Sequence, residues 1–346
     1  LSIKTVMSSL KNRYLCYVGW KRGGIALVAV LLPGMFLMAL SIGVAELSWE
    51  AMGEVLAGQD TTSPAARILL HSRIPQALTA ILAGSGLAMC GMVMQAVLRN
   101  PLSSPFTLGI SSAAAFGAAV VVLFGGDSLP HGSVTTGAFV SSLLATGLIL
   151  ALSGKRHIRT ETIILVGVAL SSFYSAGMMV LQYIADEQQL AAMVYWSFGD
   201  TQRGTMPMVG VMGLAVGLAG LFFLSQSWNY NAILLGEEFA RGLGVNVRWV
   251  RGVTMLVASL LTAILVATLG IIGFVGLVVP HLSRLLLGAD HRYGLPFAIL
   301  LGGLLLLVSD TLARTVLAPR LIPVSIVTAF LGSPIFLVML LRRRGF

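Results

Sequence analysis

Residues 234–251 read LLGEEFARGLGVNVRWVR, a charged island between two long apolar segments, residues 207–225 and 253–287. The island has too few consecutive apolar residues to cross a bilayer. Glu237, Glu238, Arg241, Arg248 and Arg251 would each be costly in hydrocarbon. It must therefore lie at a membrane surface, joining two helices that cross the membrane.

The rest of the chain agrees. Of its 346 residues, 57% are hydrophobic and only 10% charged, and the apolar runs recur at bilayer-spanning length. In a soluble protein the net charge of +9 would suggest nucleic acid. Here no basic stretch alternates with exposed aromatics, and the cations fit the role of holding one set of loops in the cytoplasm. The first apolar run, after Lys21-Arg22, is long enough to remain as a membrane helix and is not a cleaved signal. Cys16 and Cys90 form no metal or redox spacing.

Working outward from the island gives ten spans: about 24–44, 74–98, 106–124, a helix ending near 152, 162–184, 207–225, two from 253–287, 295–316, and a last helix ending at Arg342-Arg343-Arg344. The stretch 253–287 is too long for one span and is interrupted by Gly270, Gly273, Gly276 and Pro280, hence its division. Residues 1–23, with five cations among apolar residues, suit a helix on the inner membrane surface. Stretches 46–73 and 185–206 then fall outside. This topology leaves only Arg67, Arg73, Arg203, Arg314 and Arg320, of 22 Lys and Arg, at the outer side, and puts both termini in the cytoplasm.

No GxxxxGK[ST] occurs, so the chain is not itself a P-loop ATPase, and any ATP is used by a partner. Acids within the spans are few. Asp310 and Arg314 stand at i,i+4 in one helix and pair on one face, which suits a neutralising pair better than an ion-coupling site. A secondary transporter, the first rival reading, ordinarily needs more; a sensor or scaffold without transport is the second. His71, His131, His157, His281 and His291 have no metal-ligand spacing, so no metal site is expected. In the island, Glu237 and Glu238 favour a helix start and Gly242 and Gly244 its end, which suits a helix that docks a soluble partner.

Glu238 and Ala240, followed by Gly244, match the E-x-A-x3-G core of the cytoplasmic loop by which ABC importer permeases engage their ATPase. Four longer stretches, RIPQALTAILAGSGLAMCGMVMQAVLRNPLSSPFTLGISSAAAFGA from Arg73, GFVGLVVPHLSRLLLGADHR from Gly273, SDTLARTVLAP from Ser309 and PVSIVTAFLGSPIFLVMLLRR from Pro323, resemble the FecCD family. These are permeases of type II ABC importers for ferric siderophores, haem and cobalamin. The resemblance implies an all-α polytopic membrane protein of the bacterial or archaeal cytoplasmic (inner) membrane, with one ten-helix permease domain over 24–346 and a coupling segment at 234–251. It implies a second permease subunit, identical or paralogous, two ATPase subunits carrying the ATP and Mg, an external substrate-binding protein, surrounding membrane lipid, and no cofactor on this chain. Carried over residue by residue, it assigns ATPase coupling to Gly236, Glu237, Glu238, Ala240, Arg241, Leu243 and Gly244. Binding-protein docking falls to Arg73 and Arg314, with Arg67 a third candidate. Gln76 stands where relatives often carry a second arginine, which weakens that patch unless Arg67 or His71 substitutes. A cytoplasmic gate falls to Asn100, Leu102, Thr160 and Glu161, with Glu161 a departure from the small polar residue also found there. The expected cargo is a metal chelate, with an oxyanion such as molybdate as the alternative.

Overall fold

A computed structural model describes residues 3–43, 47–59, 62–125, 132–153 and 160–342. Lys155, Arg156, Arg159, Arg343 and Arg344, which support the expected orientation, lie outside these residues, as do His131, His157 and the side chain of Thr160. In chain order the helices are α1 (Ile3–Ser41), α2 (Trp49–Leu56), α3 (Pro64–Ile68), α4 (Ile74–Val97), α5 (Ile110–Phe124), α6 (Ser133–Ser153), α7 (Thr160–Ile184) and α8 (Glu187–Ser197). They continue with α9 (Met206–Ser225), α10 (Ser227–Leu234), α11 (Glu237–Gly242), α12 (Val247–Leu269), α13 (Val275–Leu287), α14 (His291–Thr315) and α15 (Val324–Arg342). Among the described residues seven helices are long and apolar enough to cross a membrane, and α5, α13 and α15 supply three shorter apolar ones. The all-α, ten-helix expectation agrees with this.

Some boundaries differ from expectation. No break occurs near residue 23, because α1 runs unbroken from Ile3 to Ser41. The second span begins ten residues early: α3 passes through a five-residue π-helical stretch, Leu69–Arg73, straight into α4. Ser63 caps α3, its Oγ accepting from the Ala66 N–H at 3.0 Å, with Pro64 at the first helical position. Half of the stretch expected outside after α7 is helix α8, started by a capping box in which Asp186 and Gln189 exchange hydrogen bonds.

The bundle is organised around α4, which packs against α9, α12, α13 and α14. Its small residues allow this. A methyl group on Gly84 would strike the Gly302 backbone of α14, and one on Gly91 the Gly276 backbone of α13, so glycine sets the approach of three helices.

The expected division of residues 253–287 is present as a non-helical break at 270–274. Gly270 stops α12 with φ +82°, and Phe274 opens α13 with φ +66°, a conformation side chains rarely adopt. Broken backbone at membrane depth needs polar partners. The extended segment 198–200 provides them: Gly199 N–H donates to Ile271 O at 3.1 Å and Asp200 N–H to Leu269 O at 2.8 Å. Ser325 N–H, at the start of α15, in turn donates to Gly199 O at 3.3 Å.

Candidate functional sites at the two ends of the bundle

The island begins at the last residue of α10, holds the six-residue α11 and ends in the first turn of α12, so residues 247–251 belong to the membrane helix and not to the surface helix. Gly236 (φ +129°) and Gly244 (φ +83°) flank α11 in conformations that glycine alone adopts readily. Ala240 is fully buried against the bundle. Glu238, Arg241, Gly242 and Gly244 are exposed, and Phe239 and Leu243 stand 52% and 62% exposed. Glu237 is less exposed and is held from two sides. Arg241 pairs with it at 3.2 Å, and Arg251 of α12 also pairs with it while donating to Val97 O, at the end of α4, at 3.0 Å. The surface helix is thus tied through one carboxylate to the central helix, while Phe239 and Leu243 face out.

At the opposite end the two expected docking arginines meet, in an arrangement their positions in the chain do not reveal. They are not surface cations: Arg73 is 4% and Arg314 5% exposed. Arg73 Nη1 donates to Leu40 O at 2.6 Å, and Arg314 donates to Ala39 O and Ile42 O at 3.3 Å each. These are carbonyls at the C-terminus of α1, where helix geometry leaves acceptors unfilled and cations are favoured. Arg314 also forms the predicted pair with Asp310, at 3.1 Å and buried. Gln76 is turned into the same cluster, its Nε2 donating to Asp310 Oδ1 at 2.8 Å. The Thr201 hydroxyl donates to the same oxygen. This cluster floors a cleft of about 220 Å3 lined by Ser72, Arg73, Gln76, Gln202 and Arg314. Of the three docking candidates only Arg67 is exposed, together with His71. Sequence reasoning missed Thr201, which has no motif around it.

For the gate, Asn100 Oδ1 accepts from Leu102 N–H at 2.8 Å, turning the chain after α4 and leaving Leu102 47% exposed. Glu161 is exposed at the start of α7. The same connection continues to Leu108 and Gly109, which press on α7 at Gly167 and Ser171. The connection therefore touches helix α7 itself, about two to three turns beyond Glu161. Beside it lies a largely apolar cavity of about 210 Å3, walled by Leu87, Phe106, Ile272, Phe274 and Leu277 with Ser104 and Ser111.

Comparison with known proteins then decides the family, because residues 29–342 match the model of the FecCD transport family. The chain belongs to the FecCD family. This FecCD protein is 39% identical to the hemin transport system permease protein of Yersinia pestis, over 91% of this chain and 94% of the relative. It is 35% identical to the molybdate import system permease protein of Haemophilus influenzae, over 92% and 96%. Its fold matches the inward-facing structure of a transporter assigned to the metal-chelate ABC type, with TM-score 0.82 and 32% identity over 92% of this chain and 98% of that one. It is accordingly an ABC importer permease, a multi-pass membrane protein.

Proposed function

We propose that this permease passes a metal chelate from an external binding protein to the cytoplasm along an interface with a second permease subunit, driven by ATP on two partner ATPases. The α11 end then faces the cytoplasm, and the chain itself carries no ATPase chemistry. The observation that carries the reading is α11. A helix that buries Ala240 and turns Phe239 and Leu243 outward, hinged on two positive-φ glycines and braced to α4 through Glu237 and Arg251, suits a surface that receives a partner's movement. Gly236, Glu238, Arg241 and Gly244 would set its shape and charge. Arg67 at the rim, with Arg73 and Arg314 in the cleft floor, would receive acidic groups of the binding protein at the far end. Asn100, Leu102, Thr160 and Glu161 would flank the inner gate.

Replacement of Gly244 by Val and of Glu238 by Lys tests the coupling role. Loss of uptake in vesicles, with an assembled complex whose ATPase no longer responds to substrate, is the expected result; unchanged uptake overturns it. The cavity wall is mostly apolar, with the hydroxyls of Ser104, Thr107 and Ser111 on it, which suits the organic surface of a chelate better than a bare, strongly hydrated oxyanion. The molybdate relative favours the oxyanion as the second reading. Measuring which ligand the cognate binding protein takes separates the two.

A further inference from the structure

At the α11 end, Lys21 of α1 is 1% exposed, and its Nζ has no hydrogen-bond acceptor among the described residues. The ammonium lies over two rings, 4.1 Å from the Tyr17 centroid and 5.1 Å from that of Tyr293 on α14. Ring faces offset part of the charge but give its three N–H groups no acceptor of ordinary strength. A second cation, Arg292, lies 5.6 Å from the same ring and 4.2 Å over Trp228 of α10.

The acid that faces Arg292 is already engaged. Asp290 pairs with Arg292 at 2.7 Å and accepts from Asn231 at 2.8 Å, and no ion pair among the described residues involves Lys21. The corner between α1, α10 and α14 therefore holds an excess of positive charge and a deficit of acceptors. Its surroundings are those of a membrane interface. Trp20 and Trp228 are 73% and 66% exposed, and Tyr17, the outer lid over the ammonium, is 54% exposed. From this corner the exposed apolar face of α1 continues away through Leu27, Val30 and Leu31, a surface suited to acyl chains and not to water.

We propose that this corner binds the phosphate of an anionic phospholipid at Lys21, the Tyr17 ring turning aside and the acyl chains lying on α1. Basic, aromatic-rimmed pockets at the ends of membrane helices have the charge and depth that such headgroups require. A phosphate oxygen would supply the acceptors that Lys21 lacks.

The test titrates the full chain in neutral detergent with phosphatidylglycerol, phosphatidylcholine or inorganic phosphate, reading lipid adducts by intact-protein mass spectrometry and thermal stability in parallel. Phosphatidylglycerol is expected to bind roughly fivefold or more tighter than phosphatidylcholine, as one cation's contribution implies. That preference should disappear in Lys21→Met and persist in Lys21→Arg. An undiminished preference in Lys21→Met overturns the proposal. Equal binding of the two lipids by the unsubstituted chain also overturns it, whether or not Lys21→Met folds. Stabilisation by inorganic phosphate equal to that by the anionic lipid would overturn the lipid assignment in favour of a free-anion site.

Discussion

Two ion pairs of the same design sit at opposite ends of this molecule. Glu237–Arg241 and Asp310–Arg314 are both i,i+4 pairs on a helix, with separations of 3.2 and 3.1 Å. The first has side chains 28% and 66% exposed, the second 2% and 7%. In water, Coulomb attraction is weak and side-chain entropy offsets most of it. In the interior, each partner has lost its hydration, so removing one leaves the other stranded. The buried pair is also embedded: Asp310 takes hydrogen bonds from Gln76 and Thr201, and Arg314 caps α1. Identical spacing thus gives a solvent-exposed pair on a surface helix at one end and a buried junction of α1, α4 and α14 at the other.

The contrast can be broken most severely with Asp310→Ala. It strands Arg314 beside Arg73 and is expected to cost about 3–5 kcal/mol of stability, read as a lowered melting temperature of the detergent-solubilised protein. A loss no larger than that of a surface substitution would mean the junction is not fixed by charge. Thr201→Val keeps the shape but removes one donor to Asp310, and a loss of about 1–2 kcal/mol in the same assay is the expected outcome. Smaller still is a pH effect at the α11 end. Burial alone would raise the Asp290 pKa, but hydrogen bonds from Arg292 and Asn231 and the Arg292 charge prevail and lower it from 3.8 to about 2. A folded pKa below the unfolded one stabilises above about pH 4 and is lost as pH falls toward 2. Asp290→Asn should therefore flatten that part of the acid-stability curve, and an unaltered curve would contradict the assignment. Arg241→Ala should change stability by no more than about 0.5 kcal/mol. A loss matching that of Asp310→Ala would erase the difference between the ends.

How much of this was legible in the sequence varied with range. The spans, the break at 270–274 and the island at 234–251 are sums or interruptions of local hydropathy, and a window of the chain contains what decides them. The Asp310–Arg314 pair was legible for the same reason, being one helical turn apart. Helix α8 had no expectation attached because its mixture of polar and aromatic residues shows no clear apolar face, although Asp186 and Gln189 stand in the order a capping box requires.

What the sequence by itself determined was an all-α membrane protein with a charged interruption at one surface, since hydrocarbon forces backbone pairing within each span and expels charge between spans. Only the tertiary structure decided what the outlying charges do. Gln76 and Asp310 are 234 residues apart, and Arg314 reaches across 275 residues to Ala39. Whether an arginine offers its charge to a partner or spends it on a helix end depends on which carbonyls packing brings within 3.5 Å, and no local pattern encodes that distance.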